Sequence, residues 1–261
     1  SINTLTGNNA SANNENGISL SYSSTNILTS NTANSNDHGI SLYDSCNHNT
    51  LTGNTACSNN RTGIYLRSSS NNTFAGNNAS ANNRNGIYLG SSSTNNTLTG
   101  NTATANNYEG IRLYASSNNL IYNNYFDNSN NAWDDTTNIW NISRTFGTNI
   151  VGGSFLGGNY WSDYAGEDLG DDGLGDTLLP YTASGTIVNG GDWRPLIKGE
   201  QPSRWDINED CIVNFIDLTI LSAHWLETTT APYPRYDINE DGTVNFIDLT
   251  ILSAHWLETT C

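Results

Sequence analysis

The feature that most constrains this chain is a phrase it repeats, first readable as NTLTGNNASANNENGISL from Asn3 to Leu20. It returns as NILTSNTANSNDHGISL, NTLTGNTACSNNRTGIYL, NTFAGNNASANNRNGIYL and NTLTGNTATANNYEGIRL, then fades in NLIYNNYFDNS. Three apolar marks recur in register. One is a Gly-Ile-x-Leu box ending at Leu20, Leu42, Leu66, Leu89 and Leu113. The second is Leu5, Leu28, Leu51, Phe74, Leu98 and Ile121, and the third is Ala10, Ala33, Ala56, Ala79 and Ala103, with Phe126 at the end. The period of 22 to 24 residues makes each unit one turn of a solenoid.

Within each box the apolar residues alternate with Ser, Tyr or Arg, a period of two that puts one face inside and the next outside. No window carries the three-to-four spacing of an amphipathic helix. A leucine-rich repeat has a similar period, but its returning arc needs more apolar residues than Ser-Ser-Thr-Asn-Asn supplies. The pattern therefore predicts a mainly β chain: a right-handed parallel β-helix of about five to six coils, roughly 4.8 Å apart, over residues 1–130. With so thin an apolar column, stacked Asn side chains at the corners must supply much of the cohesion. The residues that carry the repeat resemble the NosD-like family of carbohydrate-binding and sugar-hydrolase β-helices.

After Phe126 the rhythm is lost and aromatics gather: Trp133, Trp140, Phe146, Phe155, Tyr160, Trp161 and Tyr164. An open solenoid end exposes core and unpaired strand edges, so residues 131–199 are expected to form an aromatic cap. The run GTNIVGGSFLGGNYWSDYAGEDLGDDGLGDT, followed by PYT and DWRPL, is similar to the C-terminal signature of archaeal-type NosD-like proteins. Within it Asp168, Asp172 and Asp176, bent by Gly173 and Gly175, form an acidic loop that is either a Ca²⁺ site or a solvated turn. Tyr160, Trp161 and Tyr164 either seal the cap or stack on sugar rings.

Residues 200–204 read as a linker, and 205–261 as a duplication: WDINEDCIVNFIDLTILSAHWLETTT and YDINEDGTVNFIDLTILSAHWLETTC, offset by 31 residues. Each copy opens with Asp-x-Asn-x-Asp and closes with Asp at position 12, a calcium loop with oxygen ligands at positions 1, 3, 5, 7 and 12. The first set is Asp206, Asn208, Asp210, the Ile212 carbonyl and Asp217; the second is Asp237, Asn239, Asp241, the Thr243 carbonyl and Asp248. Asn214 and Asn245 stand at position 9, where a ligand or a bridging water is usual. A helix of about three turns is expected after each loop, through Trp225 and Trp256. Paired loop–helix units of this kind resemble dockerin type I repeats, which plug proteins into cohesin domains; the resemblance implies calcium as cofactor and a cohesin as partner.

Two departures from that pattern matter. Position 6, normally Gly, is Cys211 in the first loop. The surface pair at positions 10 and 11 is apolar, Phe215-Ile216 and Phe246-Ile247, and is either a greasy partner surface or internal core. Cys211 and Cys261 are both exceptions to the duplication and are expected to pair, because the second helix should return beside the first loop. Cys46 and Cys57 flank one strand at opposite ends and are expected not to pair with each other. His224 and His255 read as packing or contact residues rather than metal ligands.

Charge narrows the function. The net charge is −16, yet residues 1–130 hold five acidic and four basic groups; the excess acid lies in the C-terminal half. No basic stripe suits nucleic acid, and no apolar run suits a membrane span. An Asn-, Ser- and Thr-rich chain with calcium loops is expected to be extracellular or at the cell surface. Its start in mid-repeat, without Met, is expected of a processed form or a fragment. Just before the Gly-Ile boxes, Glu15, Asp37, Arg61, Arg84 and Tyr108 form a ladder in which Asp37 and Arg61 read as a salt bridge as readily as a catalytic pair. The favoured reading is a non-catalytic rod that assembles through its dockerin-like unit, onto a cohesin or head to tail into filaments. The alternative is a glycan-binding or polysaccharide-processing β-helix anchored to a cohesin.

Overall fold

The computed structural model describes residues 2–170, 172–198, 205–208, 210–230, 234–239 and 241–258. The chain divides into two compact units, Ser1–Lys198 and Gly199–Cys261. The first is a parallel β-helix. One sheet stacks Thr4–Thr6, Ile27–Thr29, Thr50–Thr52, Thr73–Ala75, Thr97–Thr99 and Leu120–Tyr122, one strand per turn and so six turns. A second runs from Ile18–Ser21 through Ile40–Tyr43, Ile64–Arg67, Ile87–Gly90, Glu109–Tyr114 and Asn130–Thr137 to Ile187–Asn189. The third begins as single bridges from Asn9 to Thr102 and widens into Thr102–Thr104, Tyr125–Asp127 and Tyr160–Trp161.

Register follows the repeat. Leu28 pairs with Leu51, Leu51 with Phe74 and Phe74 with Leu98, while Ile40, Ile64, Ile87 and Ile111 align across the second sheet. These side chains and the alanines from Ala33 to Ala103 are wholly buried. The alanine column must stay small because the backbone of the box comes close to it. A Cβ added to Gly39 would lie 2.7 Å from the Ala56 Cβ and 2.6 Å from the Gly63 carbonyl oxygen. The invariant-looking Gly of each box is thus a clearance requirement, not a flexible joint.

Three asparagine ladders hold the corners. In one, the amide of each of Asn8, Asn31, Asn54, Asn77, Asn101 and Asn124 donates to the carbonyl oxygen of the next, ending on Asn159, at 2.8–2.9 Å. A second runs from Asn3 through Asn26, Asn49, Asn72, Asn96 and Asn119 to Asn138. The third runs from Asn13 by way of Asn36, Asn59, Asn82 and Asn106 to Asn128. Each rung also accepts a backbone N–H, as Asn54 does from Asn31. The residue before a rung is left-handed, for example Ser30 (φ 53°), Gly53 (φ 61°), Gly76 (φ 64°) and Gly100 (φ 66°). That conformation turns the chain, and the Asn that follows satisfies the polar groups the turn buries. Ser23, Cys46, Ser69, Ser93 and Ser116 form a fourth ladder, in which the Cys46 thiol takes the place of a hydroxyl. Cys46 and Cys57 are free thiols and do not pair with each other.

The cap continues the core with larger rings. Phe126 stacks on Trp161 at 4.8 Å, and Trp161 on Tyr181 at 4.5 Å, with Trp140 tilted against it. Trp140 and Trp161 are 1% exposed, so they seal the solenoid and present no sugar-stacking face. At the centre of the cap Asp192, fully buried, accepts hydrogen bonds from Trp161 Nε1 (2.9 Å), Asn159 N (2.7 Å) and Arg194 N (3.0 Å). Burial raises its pKa to about 6 despite these donors.

This gives a pH prediction. The folded pKa lies above the unfolded one, so the folded state holds more protons between the two values and stability falls as pH rises through about 6. A shift of about two units corresponds to ~3 kcal/mol. The β-helix should therefore melt higher at pH 5 than at pH 7, and Asp192→Asn should flatten that dependence. Thermal melts followed by far-UV circular dichroism check it; a solenoid transition that rises with pH from 5 to 7 contradicts it.

Candidate functional site: two calcium-type loops, an apolar face and an arginine–tyrosine face

In the second unit each loop leads into a nine-residue helix, α1 (Phe215–Ala223) and α2 (Phe246–Ala254). The expected three turns are cut short. His224 and His255 cap the helices, and Leu226 and Leu257 (φ 62° each) turn the chain out, which places Trp225 and Trp256 beyond the helix ends. The two halves then interlock reciprocally. Leu226 N donates to Val244 O and Leu257 N to Val213 O, both at 2.8 Å. His224 stacks on Tyr236 at 3.8 Å, and His255 on Trp205 at 3.7 Å. The histidines are packing residues, each ring closing the opposite half. A small core of Ile207, Val213, Leu221, Ile238, Val244 and Leu252 lies between them.

The loops gather their carboxylates inward. Asp206, Asp217, Asp237 and Asp248 are completely buried. Asp217 takes N–H bonds from Ile207 (2.7 Å), Asn208 (3.2 Å) and Asn214 (2.8 Å), tying the first turn of the loop to the first turn of α1. Asp248 does the same with Ile238, Asn239 and Asn245. Asn208 and Asp210 face each other at 2.7 Å, and Asn239 and Asp241 at 2.8 Å. The position-9 asparagines are helix N-caps: Asn214 Oδ1 accepts from Ile216 N and Asn245 Oδ1 from Ile247 N, so that oxygen is already engaged. Their amides reach the Ile212 and Thr243 carbonyls. Cys211 adopts φ 72° where its counterpart Gly242 has φ 90°, so the left-handed turn of position 6 is kept without glycine. Cys211 is disulfide-bonded; Cys261, the partner expected for it, lies outside the described residues.

The donor set fits a hard cation. Among the described residues no cationic side chain pairs with Asp217 or Asp248, whose oxygens are met by N–H donors. Among the described residues no group of three or more His, Cys, Asp or Glu side chains is placed so that it could hold a metal ion. The acidic cap loop shares part of this arrangement: Asp168 accepts from the N–H groups four and five residues on, as Asp206 does from Asp210 and Cys211. Asp168 accepts from Gly170, Asp172 and Gly173 N–H groups, Asp176 from Leu169 and Gly170, and Asp172 pairs with Arg144 at 3.1 Å. Those carboxylates fold the loop on itself.

The apolar pair of each half faces out. Phe215 and Phe246 are 72% and 71% exposed, and Ile216 and Ile247 52% each, which excludes the internal-core reading. Phe215 meets the edge of Trp256, and Phe246 that of Trp225, so the phenyl rings are propped outward in matching positions.

A second chemically distinct surface lies on the solenoid. The ladder legible in the sequence exists: Asp37 N donates to Glu15 O, Arg61 N to Asp37 O, Arg84 N to Arg61 O and Tyr108 N to Arg84 O. Asp37 and Arg61 form a salt bridge at 3.4 Å, and Glu109 holds Arg112 at 3.0 Å. Asp37 and Glu109 are thus each paired with an arginine. The outward position of the box adds a column that sequence reasoning missed as a surface, Tyr65, Tyr88, Arg112 and Trp133. Its signal was present: the variable residue of successive boxes changes from Ser to Tyr, Tyr and Arg. Tyr65 and Tyr88 stack at 5.0 Å, 3° from parallel, and Arg112 lies 4.0 Å over Trp133. Two adjoining depressions of about 230 and 240 Å³ share Arg84, Asn85 and Tyr88.

Comparison with known proteins agrees with this architecture. Residues 1–166 match the family described as periplasmic copper-binding protein (NosD), and residues 204–258 match the dockerin type I domain. No curated protein matches the chain. Among solved structures it is similar to the Azotobacter vinelandii mannuronan C-5 epimerase AlgE4 A-module (26% identity, TM-score 0.47), over 49% of this chain and 37% of that one. It is also similar to the periplasmic alginate epimerase AlgG (28% identity, TM-score 0.47), over 52% of this chain and 32% of that one. The chain therefore spans about a third of the length of these structures. Copper is named in the family description; the chain has no Met, and among the described residues His38, His48, Cys46 and Cys57 form no cluster. No helix among the described residues is long and apolar enough to cross a membrane. The repeat register, the cap and the matched span together make this chain a member of the NosD family of parallel β-helix proteins, with a dockerin type I domain at residues 204–258.

Proposed function

We propose that this protein is an extracellular or cell-surface docking subunit: a rigid, non-catalytic β-helix carried on a calcium-loaded dockerin that binds a cohesin-type partner. Dockerin type I domains bind calcium, and here Asp206, Asn208, Asp210, the Ile212 carbonyl and Asp217 would hold one ion. Asp237, Asn239, Asp241, the Thr243 carbonyl and Asp248 would hold the other. Oxygen ligands of this kind in a short loop suit a hard cation such as calcium. The observation that carries the reading is the exposure of Phe215, Ile216, Phe246 and Ile247 beside a core that buries Val213, Leu221, Val244 and Leu252. Large apolar side chains held rigidly in water mark an interaction surface. The non-catalytic part rests on Asp37 and Glu109, each paired with an arginine.

The test is binding of the full chain to a panel of immobilised type I cohesin modules, with and without calcium. Because Phe215 and Phe246 are exposed, the double variant Phe215→Asp/Phe246→Asp should keep its circular dichroism spectrum and lose about a hundredfold in affinity. Unchanged affinity of the double variant, or binding that persists in chelator, refutes the docking surface. A second copy of this chain is the other possible occupant, and self-association lost in the same double variant would identify it.

A further inference from the structure

We propose that Cys211 and Cys261 form a disulfide that closes the dockerin unit on itself and makes calcium binding at the first loop depend on oxidation. The inference rests on the reading of that loop as a calcium site and goes beyond it, to a control on when the unit can load and dock.

The cysteine inventory leaves one pairing within the chain. Cys46 and Cys57 are free thiols, Cys211 is disulfide-bonded, and the remaining cysteine is Cys261. The duplication supplies the placement. After α1 the chain forms a short antiparallel ribbon with the second loop: Leu226 N donates to Val244 O at 2.8 Å, Val244 N to Glu227 O at 3.0 Å and Thr229 N to Gly242 O at 3.0 Å. After α2 it forms the matching ribbon with the first loop, where Leu257 N donates to Val213 O at 2.8 Å and Val213 N to Glu258 O at 3.1 Å. A Cβ added to Gly242 would lie 3.5 Å from the Thr229 carbonyl oxygen, so a side chain at position 6 is aimed at the far end of its ribbon. In the other half Gly242 becomes Cys211, and Thr229 and Thr230 become Thr260 and Cys261, which lie outside the described residues.

The two ribbons differ in what it takes to close them. The first joins segments close in sequence, whereas the second joins segments separated by nearly the whole unit, which costs more chain entropy. A disulfide across the second ribbon removes that freedom from the unfolded chain.

The same bond reaches the ligands of the first loop. Cys211 N donates to Asp206 Oδ2 at 2.9 Å, and its neighbours Asp210 and Ile212 belong to the same ligand set. Cys211 also holds φ 72°, a left-handed conformation that favours glycine. Once the sulfur is released, nothing covalent opposes relaxation of that turn, and the N–H that fixes Asp206 moves with it. The second loop has Gly242 at this position and needs no such restraint. Oxidation therefore acts on one loop of the two.

Closure joins the two sulfurs, while two electrons and two protons pass to a small-molecule disulfide that leaves as two thiols; a dithiol reverses the exchange. The unit is thus weak in calcium where thiols are kept reduced and becomes competent in an oxidising compartment.

The experiment compares the full chain, oxidised and after dithiothreitol, by calcium titration calorimetry and by amide hydrogen exchange in calcium. Peptide mapping without reductant should recover Cys211 joined to Cys261. Reduction should weaken one of two calcium sites about tenfold. It should also speed exchange at Val213 and Leu257, while Leu226 and Val244 keep their protection. Cys261→Ser should behave as the reduced chain with or without dithiothreitol. Cys211→Gly/Cys261→Ser, which gives the first loop the glycine of the second, should bind calcium more tightly than Cys261→Ser and ignore the reductant. Cys211 joined to any other partner overturns the proposal, as do equal calcium affinity or equal exchange in the two redox states. Redox-dependent calcium binding without capture by any cohesin supports this control and refutes the docking reading, so the two failures are distinguishable.

Discussion

Asn77→Ala should cost the β-helix about 2–6 kcal/mol of stability, more than any exposed substitution in the same coil. Asn77 Oδ1 accepts both the backbone N–H and the side-chain amide of Asn54 at 2.9 Å. Its own amide donates to Leu51 O and Asn101 Oδ1, also at 2.9 Å. Asn54, Asn77 and Asn101 are at most 1% exposed, so water cannot replace what alanine removes. At least two donors of Asn54 are left unpaired in the interior, and each such group costs about 1–3 kcal/mol. Position amplifies the effect. A solenoid is stabilised by nearest-neighbour contacts, so a defect in a middle coil uncouples the coils on both sides. Denaturant titration followed by far-UV circular dichroism measures the loss, with Thr73→Ala at an exposed position of the same coil as the reference. A change below 1 kcal/mol would show that the ladder is ornamental.

Removal of calcium should unfold the dockerin unit while leaving the β-helix intact. The unit has a core of six fully or nearly buried apolar residues against four buried aspartates. A unit of this size with so little apolar burial is marginal, and the mutual repulsion of its carboxylates opposes folding unless an ion binds. Chelator should therefore abolish the helical signal of α1 and α2 and leave the β signal of the solenoid, with full recovery on adding calcium back. Asp217→Ala removes a proposed ligand and also the three N–H bonds that join loop to helix. It should reduce calcium affinity by more than about tenfold, whereas Ser222→Ala on an exposed face of α1 should not. Helicity indifferent to chelator contradicts the assignment.

How much of this was legible in the residues depended on what the repeat enforces. The core columns could be read because a period-two pattern stacked every 22 to 24 residues leaves one choice of inside and outside. The asparagine stacking was expected in kind, but not its division into three ladders, each entered by a left-handed residue, since backbone sign is not written in a Ser, Thr or Asn. The calcium-type loops were legible through duplication. Their boundaries were not: the helices end at Ala223 and Ala254 because the halves exchange backbone hydrogen bonds just beyond, a tertiary effect with no local signal. Asn214 and Asn245 stand at position 9 of their loops, and the sequence did not show that the same side chains also cap the helices. The Asp37–Arg61 rung was visible as a ladder, while Tyr65 and Tyr88 passed for ordinary outward residues until coil stacking brought their rings together.

The most direct measurement of the central claim is sedimentation velocity of the full chain with one equivalent of a type I cohesin, in calcium and then in chelator. The account predicts one complex of one chain and one cohesin in calcium, its dissociation on chelation, and no complex for Phe215→Asp/Phe246→Asp. A chain that sediments alone beside every cohesin tested, or a complex that survives both chelation and the double substitution, would contradict it.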